Sequence, residues 1–153
     1  DTSKVTNMAE MFTACINLKS VDVSNFNTSL VTDMSYMFNS CASLTALDVT
    51  SFDTSKVTTM SGMFGSTNKL KELDLSSFDT SSVTDTSFMF YDTSVETIYV
   101  SDLWDLSNVS DDSNMIHASR LVSQTTGMKF SSQWMDKTYC NCVDGYFTYK
   151  EHN

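Results

Sequence analysis

One 26-residue pattern recurs along most of this chain, and it constrains the fold more than any other feature of the sequence. Single residue types return at the same step in successive copies. The recurring apolar positions are Phe26, Phe52, Phe78 and Trp104; Val5, Val31, Val57, Val83 and Val109; Met11, Met37, Met63, Met89 and Met115; and Phe12, Phe38, Phe64, Phe90 and Ile116. Such a repeat indicates a solenoid, in which each copy buries its apolar face only against its neighbours.

Each copy divides into two parts with different apolar spacing. Residues 44–49 are apolar at 44, 47 and 49, which predicts a short strand. Residues 31–41 are apolar at 31, 34, 37, 38 and 41, which predicts a short helix with one buried stripe and Thr32 as its N-cap. The Asn/Asp-Thr-Ser triplet that separates the two parts predicts an Asx turn. We therefore expect one short parallel strand, a turn and a short helix per repeat.

The repeats predict two regions, a solenoid over residues 1–120 and a C-terminal capping segment over 121–153. Within the solenoid, 95–100 lies one residue early and 101–104 contains a compensating extra residue. The cap contains two alternating segments, 128–130 and 144–149, that we expect to form strands. Because the chain starts inside a repeat without a polar cap, we expect further repeats or a partner to cover its first copy.

Composition and motifs exclude several classes of function. The net charge is −10 and the pI is about 4.3, with no cluster of Lys and Arg, which argues against nucleic-acid binding. There is no apolar run long enough for a transmembrane segment. We find no Ser-His-Asp or Cys-His arrangement, no glycine-rich phosphate loop and no paired metal motif. The sequence therefore predicts no enzyme activity, no cofactor and no metal site.

An acidic face on the strands is the first candidate binding surface. Asp22, Asp48 and Asp74 occupy the same outward position in three copies, and Glu72 and Tyr99 lie on the same face. Like charges at strand spacing repel unless other groups compensate them. One interpretation is that neighbouring Ser, Thr and Lys side chains or water satisfy the carboxylates. The other is an acidic face for a ligand, whereas the calcium version lacks EF-hand spacing.

Aromatic residues in the cap are the second candidate. Trp134, Tyr146 and Tyr149 belong to the densest aromatic cluster in the chain, together with Tyr139 and Phe147. Such rings either pack against the last repeat or form a platform for a sugar.

The cysteines and sequons leave alternatives open. Cys15 and Cys41 share a repeat position, but their parallel side chains suit a disulfide poorly, so we favour small buried residues. The connectivity of Cys140 and Cys142 stays open. Two sequons, at Asn27 and Asn108, are turn chemistry in a bacterium and glycan acceptors in a eukaryotic secretory route.

The full repeat carries a family resemblance. The pattern LxxLDLSxFDTSxVTxMxxMFxxCxxL, present from Leu44 to Leu70, resembles the atypical leucine-rich repeats of BspA-like bacterial surface proteins. The GYFTYK stretch that begins at Gly145 resembles the C-terminal ending of such proteins. The resemblance implies a leucine-rich-repeat-like solenoid in a secreted or wall-attached protein linked to adhesion. It implies no family-wide catalytic site.

Two classes of function therefore lead. The first is a non-catalytic extracellular or cell-surface module that mediates adhesion or protein/glycan interaction through the solenoid face. The alternative is a structural spacer, or a subunit that stacks end to end in a fibre or larger surface assembly. The expected partners are a protein or glycan ligand at a cell surface, or neighbouring subunits.

Overall fold

The computed structural model describes residues 1–117 and 147–151, and all strand pairs within these ranges are parallel. The strands are β1 (Glu72–Asp74), β2 (Phe90–Tyr91), β3 (Thr97–Val100), β4 (Ile116–His117) and β5 (Thr148–Tyr149). One sheet has the order β1-β3-β5 and the other pairs β2 with β4. Across the described ranges there is no helix, and so none that is long and apolar enough to cross a bilayer.

Successive copies of the pattern lie directly against one another. A ladder of parallel bridges runs through equivalent residues of five copies: Asn7, Asp33, Thr59, Asp85 and Asp111. Beside this ladder, alternate backbone N–H groups donate to carbonyls of the next copy. Tyr36 donates to Ser61 at 2.7 Å and Phe38 donates to Met63 at 3.0 Å. The repeat thus sets the hydrogen-bonding register, while the assignment to a leucine-rich-repeat solenoid stays a prediction.

The helix predicted for residues 31–41 is not formed, and a succession of turns takes its place. Met37 donates its N–H to the carbonyl of Met34, three residues back, while the N–H groups of Tyr36 and Phe38 on either side of it bond to the next copy. Tyr36 and Ser40 both have φ of 57°, which a right-handed helix excludes. Turns and helix both direct apolar residues inward at three- and four-residue spacing, so the pattern alone does not distinguish them.

Thr32 also has a different role from the predicted N-cap. Its hydroxyl donates to the backbone carbonyl of Thr6 in the preceding copy at 3.3 Å. Thr58 and Thr84 repeat this bond to the copies before them, at 3.1 and 3.2 Å. The threonine is therefore part of a hydroxyl ladder that links copies.

The predicted strand forms only near the end of the repeat region. β1 pairs with β3 in a register that joins Glu72 to Thr97 and Asp74 to Tyr99, an offset of 25 residues. Phe90 of β2 faces Ile116 of β4, which restores the offset of 26. The one-residue deletion and its compensating insertion are thus confirmed. The equivalent residues 46–48 and 20–22 are not in strands.

The predicted Asx turns are confirmed in every described copy. The serine two residues after each Asx residue donates its N–H to the Asx Oδ1, for example Ser55 to Asp53 at 3.1 Å and Ser81 to Asp79 at 2.9 Å. Between them the buried Thr54 donates its hydroxyl to the carbonyl of Asp79 in the next copy at 2.9 Å. The triplet therefore makes the turn and also joins it to its neighbour.

The core consists of columns of identical side chains. In the phenylalanine column (Phe12, Phe38, Phe64 and Phe90), neighbouring rings stack with centroids 5.4 to 6.0 Å apart. The methionine column is equally regular, and four of its five members are fully buried. Met11 in the first copy is 41% exposed, whereas Met37 in the second is 0% exposed. The difference arises because no described copy covers the outer face of the first.

The described part of the cap closes the aromatic columns. Phe147 is buried and packs edge-to-face on Phe90 at 5.7 Å and on Trp104 at 5.4 Å. The strand that follows it, β5, pairs with β3. One residue therefore covers both columns, in agreement with the interpretation that part of the aromatic cluster packs against the last copy.

The two described cysteines are free thiols in different surroundings. Cys41 is buried, its Sγ lies 3.1 Å from the carbonyl of Phe12, and burial raises the pKa of its thiol. Cys15 is exposed, so the expectation of a small buried residue describes Cys41 alone. The remaining pair, Cys140 and Cys142, lies outside the described residues.

Replacement of Phe64 by Ala tests the energetic weight of the phenylalanine column. Phe64 is fully buried between Phe38 and Phe90, so we expect a loss of about 3–5 kcal/mol in the free energy of unfolding. Phe12→Ala is the matched control, because Phe12 is only partly buried at the end of the column. Denaturant unfolding should show a smaller loss for the control, and equal losses would contradict the column argument.

Gly62 is predicted to resist substitution because of its φ of 60° and because of the neighbouring ring of Tyr36. Equivalent positions hold Glu10, Tyr36, Phe88 and Asn114 at the same positive φ. A Cβ on Gly62 would lie 2.4 Å from the ring of Tyr36. We expect Gly62→Ala to cost about 1–3 kcal/mol of unfolding free energy. In a Tyr36→Ala background the part of the cost that comes from the ring should disappear and the part that comes from φ should remain, and an unchanged cost in that background would contradict the ring contact.

Candidate functional site

An open groove lies on the strand face between the second copy and the described part of the cap, and we call it the strand-face groove. Its volume is about 820 Å³, within the size range of small-ligand sites. It crosses from the second copy to the cap, and its lining residues are Thr45, Ala46, Leu47, Lys71, Glu72, Asp74, Tyr99, Tyr149 and Lys150.

The groove forms where the chain departs from its repeat. At the strand position that holds Asp48 and Asp74 in earlier copies, the fourth copy has Tyr99. Tyr149 and Lys150 come from the cap, where β5 pairs with β3 and the Lys150 N–H donates to the carbonyl of Val100 at 2.7 Å. Parallel pairing of β5 with β3 therefore brings two residues from outside the repeat to the groove.

An ion pair joins the cap to the strand face. The Lys150 ammonium contacts Asp74 Oδ2, and Asp74 Oδ1 accepts the N–H of Ser76 at 3.0 Å. Burial by itself raises the pKa of Asp74, but the hydrogen bonds from Lys150 and Ser76 outweigh it, and the pKa is lowered. Asp74 in turn raises the pKa of Lys150. The Lys150 Nζ also lies 5.9 Å from the centroid of the Tyr99 ring, so the cation, the carboxylate and the ring form one cluster.

A second pair lies at the other side of the groove. Lys71 Nζ donates to Glu96 Oε1 at 2.7 Å, and both side chains are about half exposed. The neighbouring Glu72 is exposed on β1. The lining therefore offers ammonium donors and carboxylate acceptors together with the Tyr99 ring.

Four of the residues predicted for binding line this groove. They are Asp74, Glu72 and Tyr99 from the strand face and Tyr149 from the aromatic cap. Neither Trp134 nor Tyr146 falls within the described residues, so their predicted role stays a prediction. Residues predicted separately as a strand face and a cap thus meet in a single site.

Asp22 and Asp48 have a different environment from Asp74. Asp22 Oδ1 accepts the hydroxyl of Ser24 at 2.7 Å, and Asp48 Oδ1 accepts the hydroxyl of Thr50 at 2.6 Å. These hydroxyl bonds are the main reason that the pKa of each carboxyl is lowered. Neither residue lines the groove. At Asp22 and Asp48, neighbouring hydroxyl groups therefore provide the hydrogen bonds that compensate the carboxylates, as one of the two interpretations of the acidic face predicts.

Sequence reasoning did not single out the two lysines of the groove. Lys150 is 76 residues from Asp74, and no spacing rule connects them. Lys71 sits next to Glu72 on the first residues of the strand segment, and its distance from Glu96 depends on the one-residue deletion. The sequence does contain one indication of where Lys150 lies. Residues 144–149 alternate as a strand does, and pairing of that strand with the sheet would bring the adjacent Lys150 to the strand face.

Metal binding gains no support from the described residues, which contain no group of three His, Cys, Asp or Glu side chains placed to hold an ion. Within residues 1–117 and 147–151, the stacked copies define a class of protein, a repeat protein built from turns and short parallel strands, with a groove where the later copies meet residues 149 and 150. The chain belongs to the family described as "Mycoplasma protein of unknown function, DUF285", which matches residues 6–130.

Comparison with curated proteins gave no match, and neither did comparison with solved structures.

Acid titration tests the ion pair of the groove. Because the folded-state pKa of Asp74 is lowered, its ionised form adds stability above the unfolded-state pKa, and this is lost as the pH falls through the folded-state pKa. We expect Asp74→Asn and Lys150→Gln to destabilise less than additively at neutral pH, and to become additive at an acidic pH below the folded-state pKa of Asp74.

The matched control is Lys71→Gln, because Lys71 pairs with Glu96 and not with Asp74. Urea unfolding of the single and double variants at both pH values measures the coupling. A coupling of Asp74 to Lys71 as large as that to Lys150, or one that persists in acid, would contradict the assignment.

Proposed function

We propose that this chain is a non-catalytic interaction module of an extracellular or cell-surface protein, and that it binds a protein or glycan ligand in the strand-face groove. We further propose that its stacked copies form a leucine-rich-repeat-like solenoid of the BspA type. In this proposal the solenoid is the scaffold, and the last copies with the cap carry the binding site.

The observation that carries this proposal is the composition of the groove. Stacking requires the inward Phe, Met, Val and Leu side chains, which are buried. Tyr99 and Tyr149 are not part of these columns, and Tyr149 is 55% exposed. Large exposed aromatic residues beside charged groups are typical of binding surfaces and have no role in holding the copies together.

The resemblance of the repeat to BspA-like surface proteins supports an adhesive role. Membership of the DUF285 family is compatible with that resemblance, although the family is itself described as of unknown function. The absence of catalytic motifs from the sequence supports a binding role over an enzymatic one.

A second candidate function is end-to-end stacking, and one observation favours it. The outer face of the first copy exposes Met11 at 41% and Ile16 at 57%. In the second copy the residue equivalent to Met11 is fully covered. A neighbouring subunit or repeat that covered this face would extend the array into a spacer or fibre.

The double variant Tyr99→Ala/Tyr149→Ala tests the leading proposal. Beads coated with the chain are measured for retention on immobilised polysaccharides, on extracellular-matrix proteins and on intact animal cells. We expect the wild type to be retained on at least one surface and the double variant to lose about ten-fold or more in retention, because two aromatic rings that line the groove are removed.

Tyr36→Ala is the matched control, since Tyr36 is an exposed tyrosine that does not line the groove. It should be retained like the wild type. If the double variant is also retained like the wild type, the groove is not the binding site. If, in addition, Met11→Lys/Ile16→Lys shortens the particles seen by negative-stain microscopy, the stacking function replaces the binding one.

A further inference from the structure

The strand-face groove differs in charge from the molecule that carries it. The whole chain has a net charge of −10. The groove lining contains two lysines, Lys71 and Lys150, and two carboxylates, Glu72 and Asp74, so its formal charges cancel. A site for a basic ligand would be expected to retain the acidic excess of the surface, and a site for an anion would be expected to carry a cationic excess.

The cations of the groove already have partners. Lys150 is held by Asp74 and Lys71 by Glu96. A charged ligand would have to compete with one of these pairs. A hydroxyl group avoids this competition, because it accepts from an ammonium and donates to a carboxylate at the same time. Both pairs are thus matched to an uncharged ligand that is rich in hydroxyls.

The two tyrosines supply the apolar part of the site. Tyr99 on β3 pairs with Thr148 of β5, Tyr149 pairs with Val100, and both tyrosines line the groove. Because successive side chains of a strand alternate in direction, the two rings offer separate contacts and do not form one stacked pair. The negative faces of such rings attract the C–H groups on the flat side of a sugar ring. The combination of aromatic faces with alternating donors and acceptors matches a pyranose.

The volume of the groove also favours a small ligand over a protein surface. The groove volume of about 820 Å³ lies in the range of small-molecule sites. Protein interfaces are instead broad, nearly flat surfaces of on the order of 800 Å² per partner. A few linked sugar rings fit such a volume.

From these observations we infer that the strand-face groove binds a neutral oligosaccharide, with the pyranose rings against Tyr99 and Tyr149 and the hydroxyls between the ammonium and carboxylate groups. This inference rests on the proposed function, and it names the ligand class for the same site. The balanced charges of the groove lining determine the specificity for a neutral ligand, and the two aromatic rings provide most of the affinity.

Glycan-array screening of the full chain tests the inference. The array carries neutral hexose oligosaccharides, uronic-acid oligosaccharides and glucosamine oligomers of matched length. We expect binding to neutral members only, and titration of the best neutral hexose oligosaccharide should give an affinity that changes little with ionic strength, because no net charge is neutralised. Preference for a charged class, or a strong dependence on salt, would overturn the inference.

Conservative variants separate ring stacking from loss of fold. Tyr99→Phe/Tyr149→Phe keeps both rings and should bind the neutral oligosaccharide within about three-fold of the wild type. Tyr99→Leu/Tyr149→Leu keeps apolar bulk without the π faces and should bind about ten-fold more weakly, with an unchanged unfolding midpoint. Equal binding by both variants would overturn the assignment of affinity to the rings.

The two proposals fail in different ways. If the groove variants abolish retention on a protein or on a charged polysaccharide, and no neutral oligosaccharide binds, the ligand class is wrong and the proposed function stands. If no surface or glycan is retained in a groove-dependent manner, both are wrong.

Discussion

Hydrogen bonds between equivalent positions of successive copies hold this structure together. In the turn segments the N–H of every second residue donates to the next copy, and threonine hydroxyls add bonds on the same offset. Isolated turns of this kind would leave half of their backbone groups unpaired. The turn segment is therefore stable only within the stack, which explains how a chain with few regular strands can bury whole columns of Phe and Met.

The same constraint explains where a binding site can arise. Positions that face the neighbouring copy must keep residues that stack, as the phenylalanine column does from Phe12 to Phe90. Positions that face away are free to vary, and Tyr99 replaces the aspartate of earlier copies at one of them. The cap adds Tyr149 and Lys150 to the groove beside that position through β5. A repetitive scaffold thus acquires a non-repetitive site at the place where its period changes.

Much of this arrangement was predictable from the spacing of residues in the sequence, because stacked copies place residues that are one repeat apart in contact with each other. The register, the Asx turns and the buried Phe and Met columns all follow from the 26-residue step. The helix over 31–41 was predicted but not formed, since the spacing of its apolar residues is the same for turns that direct every third or fourth residue inward. The spacing of apolar residues indicates which side chains are buried, but it does not indicate which carbonyls accept their backbone N–H groups.

For the site, the sequence alone determined that Asp74, Glu72 and Tyr99 share one face, because alternation along a strand fixes the side of each residue. It also identified Tyr149 as part of an aromatic ending. Only the tertiary structure decided that these residues meet, that Lys150 pairs with Asp74, and that Asp22 and Asp48 instead accept hydroxyl groups from residues two positions later. The physical reason is that the cap returns to the strand face through pairing of β5 with β3, a contact between segments whose separation follows no period.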